Sequence, residues 1–246
     1  MSISELISNL SLEDIEKLKI LKLEELGEVP TYSFSNISFR ELKNLVDIEQ
    51  KIDKGNFDSW FNSEISISDE VESFLQKLID KNKPLMKYYK EEDLKLHFLS
   101  HIFGKINFTS YENSFRDFYN ENLKYETPNF ILNGETDFLL ASGLFESKTP
   151  YFFIQEFKKE KVNKDPEPQL LAEMIAGLEN SQVTYFKGSF IVGAIWNFVI
   201  LKKIGEHKYD YYVSENFDST KIEDLKSIYK NLLFIKKEII SKTANF

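Results

Sequence analysis

The sequence predicts an α/β fold, a mixed central sheet with helices on its faces, behind an N-terminal helical region. Three observations carry this. Apolar residues recur at helical spacing through the first 80 positions, and period-2 alternation takes over from about residue 125. From residue 91 the elements then follow in the order helix, three strands, helix, strand. With 246 residues, 42% of them apolar and 15% aromatic, the chain can bury a substantial core and does not have a disordered composition. The expected division is a helical region over 1–85 and a second domain over 86–246 that closes on a helix.

The helices are announced by their starts. Ser11 and Asp14 form a capping-box pattern ahead of Ile15, Leu18, Leu21 and Leu23. Ser38 and Glu41 open a second helix, expected to run to about Gln50 on Leu42, Leu45, Val46 and Ile48. After the Gly55-Asn56 break comes the aromatic cluster Phe57, Trp60 and Phe61, and Ser68 starts a helix that Pro84 should end. Glu91, Glu92 and Asp93 place negative charge at the next helix start, where the dipole favours it, and Gly104 is the expected stop.

The strands follow. Asn133-Gly134 between two apolar runs predicts a hairpin over residues 129–141, and Pro150 opens a third strand through Lys158. Pro166-Glu-Pro-Gln leads into a helix over Leu170 to Leu178. A long apolar strand spans 189–204, with 209–213 beside it, and a last helix runs to about Ile240.

Charge and composition narrow the chemistry. The net charge is −9, and residues 1–80 carry all of it, with 17 acidic against 8 basic side chains. A polyanion is therefore not expected to contact the N-terminal third. No cysteine is present, which excludes disulfides, thiolate metal sites and a cysteine nucleophile. The start of the chain lacks a basic, apolar leader and no apolar run is long enough to span a bilayer, so a cytoplasmic protein with no membrane partner is expected. The abundance of Lys, Asn, Ile and Phe points to an AT-rich bacterial genome. Phosphate-loop, dinucleotide and serine-elbow motifs are absent. His97 and His101 have metal-ligand spacing, but with no third ligand in sight they read as ordinary helix histidines.

Asp137, Glu156 and Lys158 are a better constellation. On a strand, Glu156 and Lys158 project from one face while Phe157 points away. If the strand of Asp137 is a neighbour, both carboxylates can share a divalent cation, with the backbone carbonyl of Phe157 as a third ligand. Lys158 would then help deprotonate a bound water or stabilise charge on a phosphate. Read alone, Glu156-Phe-Lys158 also suits an edge strand with solvated charges. The apolar strand that runs into it, the position of Asp137 and Gln169 at the next helix start favour a site.

These residues resemble the PD-(D/E)XK nuclease superfamily: Gly134-Glu-Thr-Asp137, eighteen residues, Glu156-Phe-Lys158, then Gln169 on a helix. The resemblance covers roughly residues 90–205. It implies a restriction-endonuclease-like αβββαβ core and a metal-dependent nuclease that hydrolyses phosphodiester bonds, with DNA as the expected partner and Mg²⁺ or Mn²⁺ as cofactor. It also implies that Asp137 and Glu156 hold the metal, that Lys158 is catalytic and oriented by Gln169, that Glu92 is an added acidic ligand, and that a homodimer could cut both strands. Glu173 stands where exonuclease-like branches have a tyrosine, and Thr136 where a proline sometimes precedes the aspartate. The rival expectation is a catalytically inactive module on the same fold that binds nucleic acid or protein. The lysines that flank the expected site are Lys148, Lys159, Lys161 and Lys164.

Overall fold

In the computed structural model, which describes residues 10–158 and 165–243, side-chain caps set the early helix starts. Ser11 and Asp14 exchange backbone hydrogen bonds of 3.0 and 3.1 Å at the start of α1 (Leu12–Leu26). Its residues Ile15, Leu18 and Leu21 are exposed. β1 (Thr31–Ser33) and a 3₁₀ turn come next, and the Ser38–Glu41 capping box opens α2 (Phe39–Leu45). That helix is shorter than expected. Val46 is already extended, and residues 47–50 form β2 (Asp47–Gln50) because Ile48 pairs with Tyr209 of a distant strand. The region expected to be helical therefore contributes two strands.

The short α3 (Asp58–Phe61) carries Trp60, whose indole N–H donates to the Asn231 carbonyl at 2.9 Å. α4 (Asp69–Met86), capped by Ser68, runs through Pro84, so the helix ends two residues past the expected stop. Pro84 forgoes the bond its missing N–H would make to the Asp80 carbonyl, and the helix ends two residues later at Met86. α5 (Glu91–Leu94) passes through a π-helical turn (Lys95–Leu99) into α6 (Ser100–Ile106). Asn107 stops it at φ +52°, in place of Gly104. Among the described residues, no helix is long and apolar enough to cross a membrane.

The expected hairpin at Asn133-Gly134 is not there. β3 (Phe115–Glu126) and β4 (Ile131–Ser142) pair antiparallel along their length, and their turn is Thr127 to Phe130, pinned by the Thr127 hydroxyl. Gly134 lies inside β4 at φ +148°, and a Cβ there would meet the Phe34 ring at 3.0 Å. The glycine serves that close approach, not a turn.

β5 (Lys148–Lys158) joins β4 antiparallel and β6 (Tyr185–Val192) parallel, after the crossover helix α7 (Pro166–Asn180). The apolar run expected as one strand is a hairpin of β6 and β7 (Ile195–Gly205), turned at Gly193 with φ +60°. β8 (Lys208–Val213) lies antiparallel beside β7, as the sequence predicts; the short β9 (Phe217–Asp218) also pairs with β7, and α8 (Ile222–Thr243) ends the described chain. The fold is thus mixed α/β, with strand order β1-β4-β5-β6-β7-β8-β2 and β3 on the other side of β4.

Two apolar layers cover the sheet. Residues of α4 to α6 and α8 pack with Phe138, Phe153, Phe157 and Phe198 on one face. On the other, α7 packs with Ile154 and Phe190, and Phe34, Ile37 and Leu42 join the same layer. Both layers take residues from before and after position 85. With sheet and N-terminal segment against it, α7 buries Leu170, Leu171, Met174, Ile175 and Leu178 completely.

Candidate active site

The site lies at a fork in the sheet. One flank of β4 is paired with β1 at residues 131–133 and with β5 at 138–142. Residues 134–137 between them have no ladder partner on that flank, because β5 leaves β4 after Gln155 and continues along β6. Asp137 fills the opening. Its Oδ2 accepts from the Phe157 backbone N–H at 2.9 Å, replacing a ladder bond with a side-chain one. Phe157 thus sits between the two carboxylates, though it is its N–H that meets Asp137.

Glu156 faces the same side as Asp137, by strand alternation and register. It is fully buried and on a central strand, which removes the solvated-edge alternative. Burial first, and then the neighbouring Asp137, push its carboxyl up to about 8 against the opposing pull of Lys158. Lys158 is hydrogen-bonded to Glu156 Oε1, and although burial opposes its charge, Glu156 holds its ammonium above the ordinary lysine range.

Lys95, which the sequence reading did not single out, completes the cluster. From the π turn its ammonium reaches Asp137 Oδ1 at 3.0 Å, Glu91 at 3.0 Å and Glu92 at 3.4 Å. Burial works against this charge, but Asp137 and Glu91 outweigh it and raise its pKa. Of the two acids on this helix that Lys95 contacts, Glu92 is largely exposed, whereas the half-buried Glu91 also acts on Lys158. Glu91 is therefore the acid nearer the site.

Gln169 does not orient Lys158. Its Nε2 donates to Glu173 Oε1 at 3.0 Å, one helical turn on. Glu173 is fully buried, and burial first, then Glu156, raise its carboxyl well above the usual range. Burying the five large apolar neighbours on α7 contributes roughly 7–15 kcal/mol. That exceeds the cost of enclosing one neutral carboxyl, about 1–3 kcal/mol with a hydrogen bond missing. The visible signal was a lone Glu inside Leu170-Leu-Ala-Glu-Met-Ile175.

Two buried oxygens at the site, Glu156 Oε2 and Glu173 Oε2, have no hydrogen-bond partner among the described residues. An oxygen-ligated divalent cation suits such donors. Among the described residues, however, no three His, Asp or Glu side chains already converge on one point as a metal shell; the Asp137 and Glu156 carboxylates are held by lysines instead. His97 and His101 are both exposed, and His97 packs against Tyr89 with ring centres 5.6 Å apart. Lys148 is exposed at the far end of β5, and Lys159, Lys161 and Lys164 lie outside the described residues.

A scan of protein-family models and a search of curated proteins found no match to this sequence.

Proposed function

We propose that the chain is a metal-dependent nuclease that hydrolyses phosphodiester bonds in DNA, on a restriction-endonuclease-like core. The observation that carries this reading is the convergence of Asp137, Glu156 and Lys158 at the fork between β4 and β5, with an unpartnered buried oxygen on Glu156. The order α5–α6, β3, β4, β5, α7, β6 supports it.

Asp137 and Glu156 would hold Mg²⁺ or Mn²⁺, which when bound supplies an activated water and offsets charge at the phosphate. The chain's own groups do the rest. Asp137 is fixed by the Phe157 N–H, so its position survives whether or not Lys95 stays in contact. Glu156 must lose its proton to act as a ligand, and the adjacent Lys158 ammonium favours that loss. Lys158, tethered at Glu156 Oε1, then stands beside the reacting phosphate to move a proton or balance charge. A catalytically inactive module on the same fold is the second reading. One observation favours it: both carboxylates already have ammonium partners.

The test is incubation with plasmid, linear duplex, single-stranded DNA and RNA in Mg²⁺, Mn²⁺ or EDTA. Cleavage should require metal and should fall about 100-fold or more in Lys158→Ala. Binding without cleavage, unchanged in Lys158→Ala, would establish the inactive module instead.

A further inference from the structure

Beside Asp137 opens a cleft of about 290 Å³ walled by the helical segment that starts at Glu91 on one side and by the sheet on the other. The π turn and α6 supply Leu96, Leu99 and Phe103, and β3 supplies Tyr119 and Asn120. Larger clefts, of about 440 Å³ near Phe57 and about 770 Å³ between β5 and α8, share no residue with the carboxylate site. The smaller one includes Asp137 itself.

We propose that this cleft is a subsite for one unstacked nucleobase, so that the chain acts on single-stranded nucleic acid in preference to continuous duplex. The inference rests on the nuclease reading, whose phosphate would lie at Asp137, the residue that the two sites share.

Four observations support it. The volume is near the low end of small-molecule sites, roughly 300–1,000 Å³, which suits one ring system and not a stack of paired bases. Its rim leaves two large apolar side chains in water, Tyr119 at 49% and Leu96 at 64% exposure, while Phe138 supports the Tyr119 ring edge-on at 5.4 Å. An aromatic face braced from behind and open in front is a stacking platform.

Asn120 is the third. It stands at φ +53° in the interior of β3, and the ladder pairs Tyr119 with Phe138 and Glu121 with Thr136 but leaves Asn120 and Asp137 unpaired. A left-handed residue in mid-strand is strained, and such strain recurs where a ligand is gripped. Asn120 lines the cleft, and a carboxamide carries both a donor and an acceptor for a base edge.

The fourth is electrostatic. Among the described residues, the two ammonium groups at the site, Lys95 and Lys158, are engaged by carboxylates. With both of these groups already paired, stacking, which tolerates any base, is a source of affinity that they do not supply. A base held in a duplex would first have to leave its stack, at a cost of a few kcal/mol, whereas a single strand offers its bases freely.

The test uses fluorescence anisotropy with a labelled 12-nucleotide single strand, as DNA and as RNA, and the matching duplex, each in EDTA and in Mg²⁺, with cleavage followed on the same samples. Wild type should bind the single strand more tightly than the duplex. Tyr119→Ala should weaken single-strand binding by roughly 5- to 100-fold, leave duplex binding unchanged, and be rescued by Tyr119→Phe. Leu96→Ser, at an exposed position, should weaken it several-fold. The proposal is overturned if both Tyr119→Ala and Leu96→Ser bind the single strand like wild type, or if the duplex binds equally well. Metal-dependent cleavage with no Tyr119 dependence removes the cleft and leaves the nuclease; Tyr119-dependent binding with no cleavage removes the nuclease and leaves the cleft. An absence of binding in every arm removes both.

Discussion

Replacing Glu156 by Gln should flatten the pH dependence of stability. In the metal-free protein the Glu156 carboxyl is pushed from an ordinary value near 4.5 up to about 8, by burial and then by Asp137. Between those limits the native state holds a proton that the unfolded chain has released, so stability falls as pH rises through this window. At about 1.4 kcal/mol per pH unit, the full displacement corresponds to roughly 5 kcal/mol, of which about 4 should be lost between pH 5 and pH 8.5. Glutamine keeps the shape and carries no proton to lose. The amide oxygen of the variant can still accept from Lys158, and any change in packing acts at both pH values, so the quantity to compare is the difference between them. Urea denaturation at pH 5 and pH 8.5 in EDTA should show a wild-type loss on the order of 4 kcal/mol beyond that of Glu156→Gln. Equal losses in the two proteins would refute the reasoning and show Glu156 to be ionised throughout.

Two further predictions test the surroundings. Gly134→Ala should destabilise by about 1–3 kcal/mol, since the new methyl meets the Phe34 ring at 3.0 Å on a backbone at φ +148°; a urea midpoint equal to that of wild type would contradict it. Lys95→Met removes the ammonium held by Asp137, Glu91 and Glu92, so the metal-free protein should lose about 1–3 kcal/mol near neutral pH, and added Mg²⁺ should raise Tm by more than in wild type. An equal Mg²⁺ response in thermal melts would show that Lys95 does not stand in for a cation.

What the sequence disclosed was governed by range. The shared face of Glu156 and Lys158 was readable because strand alternation is a local rule; that Asp137 joins them depends on how β4 and β5 register. The fork that opens space for them was not, since it depends on β1 arriving from residues 31–33 to take the flank of β4 that β5 gives up. β1 and β2 are three and four residues long, too short for a periodic signal, and each is defined by a partner about 100 to 160 positions away. Asn133-Gly134 carried a strong turn signal for the wrong reason, because the glycine answers to Phe34 and not to a hairpin. Lys95 gave no signal at all: its role arises from a π turn and a contact 42 residues away. Glu173 stood in plain view as a charged residue in an apolar helix, but its burial became visible only with the N-terminal segment packed in the same layer.

The pairing of β2 with β8 has a consequence for biosynthesis. Ile48 is made about 160 residues before its partner Tyr209, and at 5–20 residues per second the ribosome needs roughly 8–30 s to deliver that partner. The segment that will pair with β4 and β8 therefore leaves the ribosome first and must wait, with Phe34, Leu42 and Ile48 exposed. Those seconds are a window in which a chaperone could engage the nascent chain or a neighbouring chain could bind β2 instead. Slowing translation late in the message, between β7 and β8, should therefore lower the soluble yield without any change in the protein's composition.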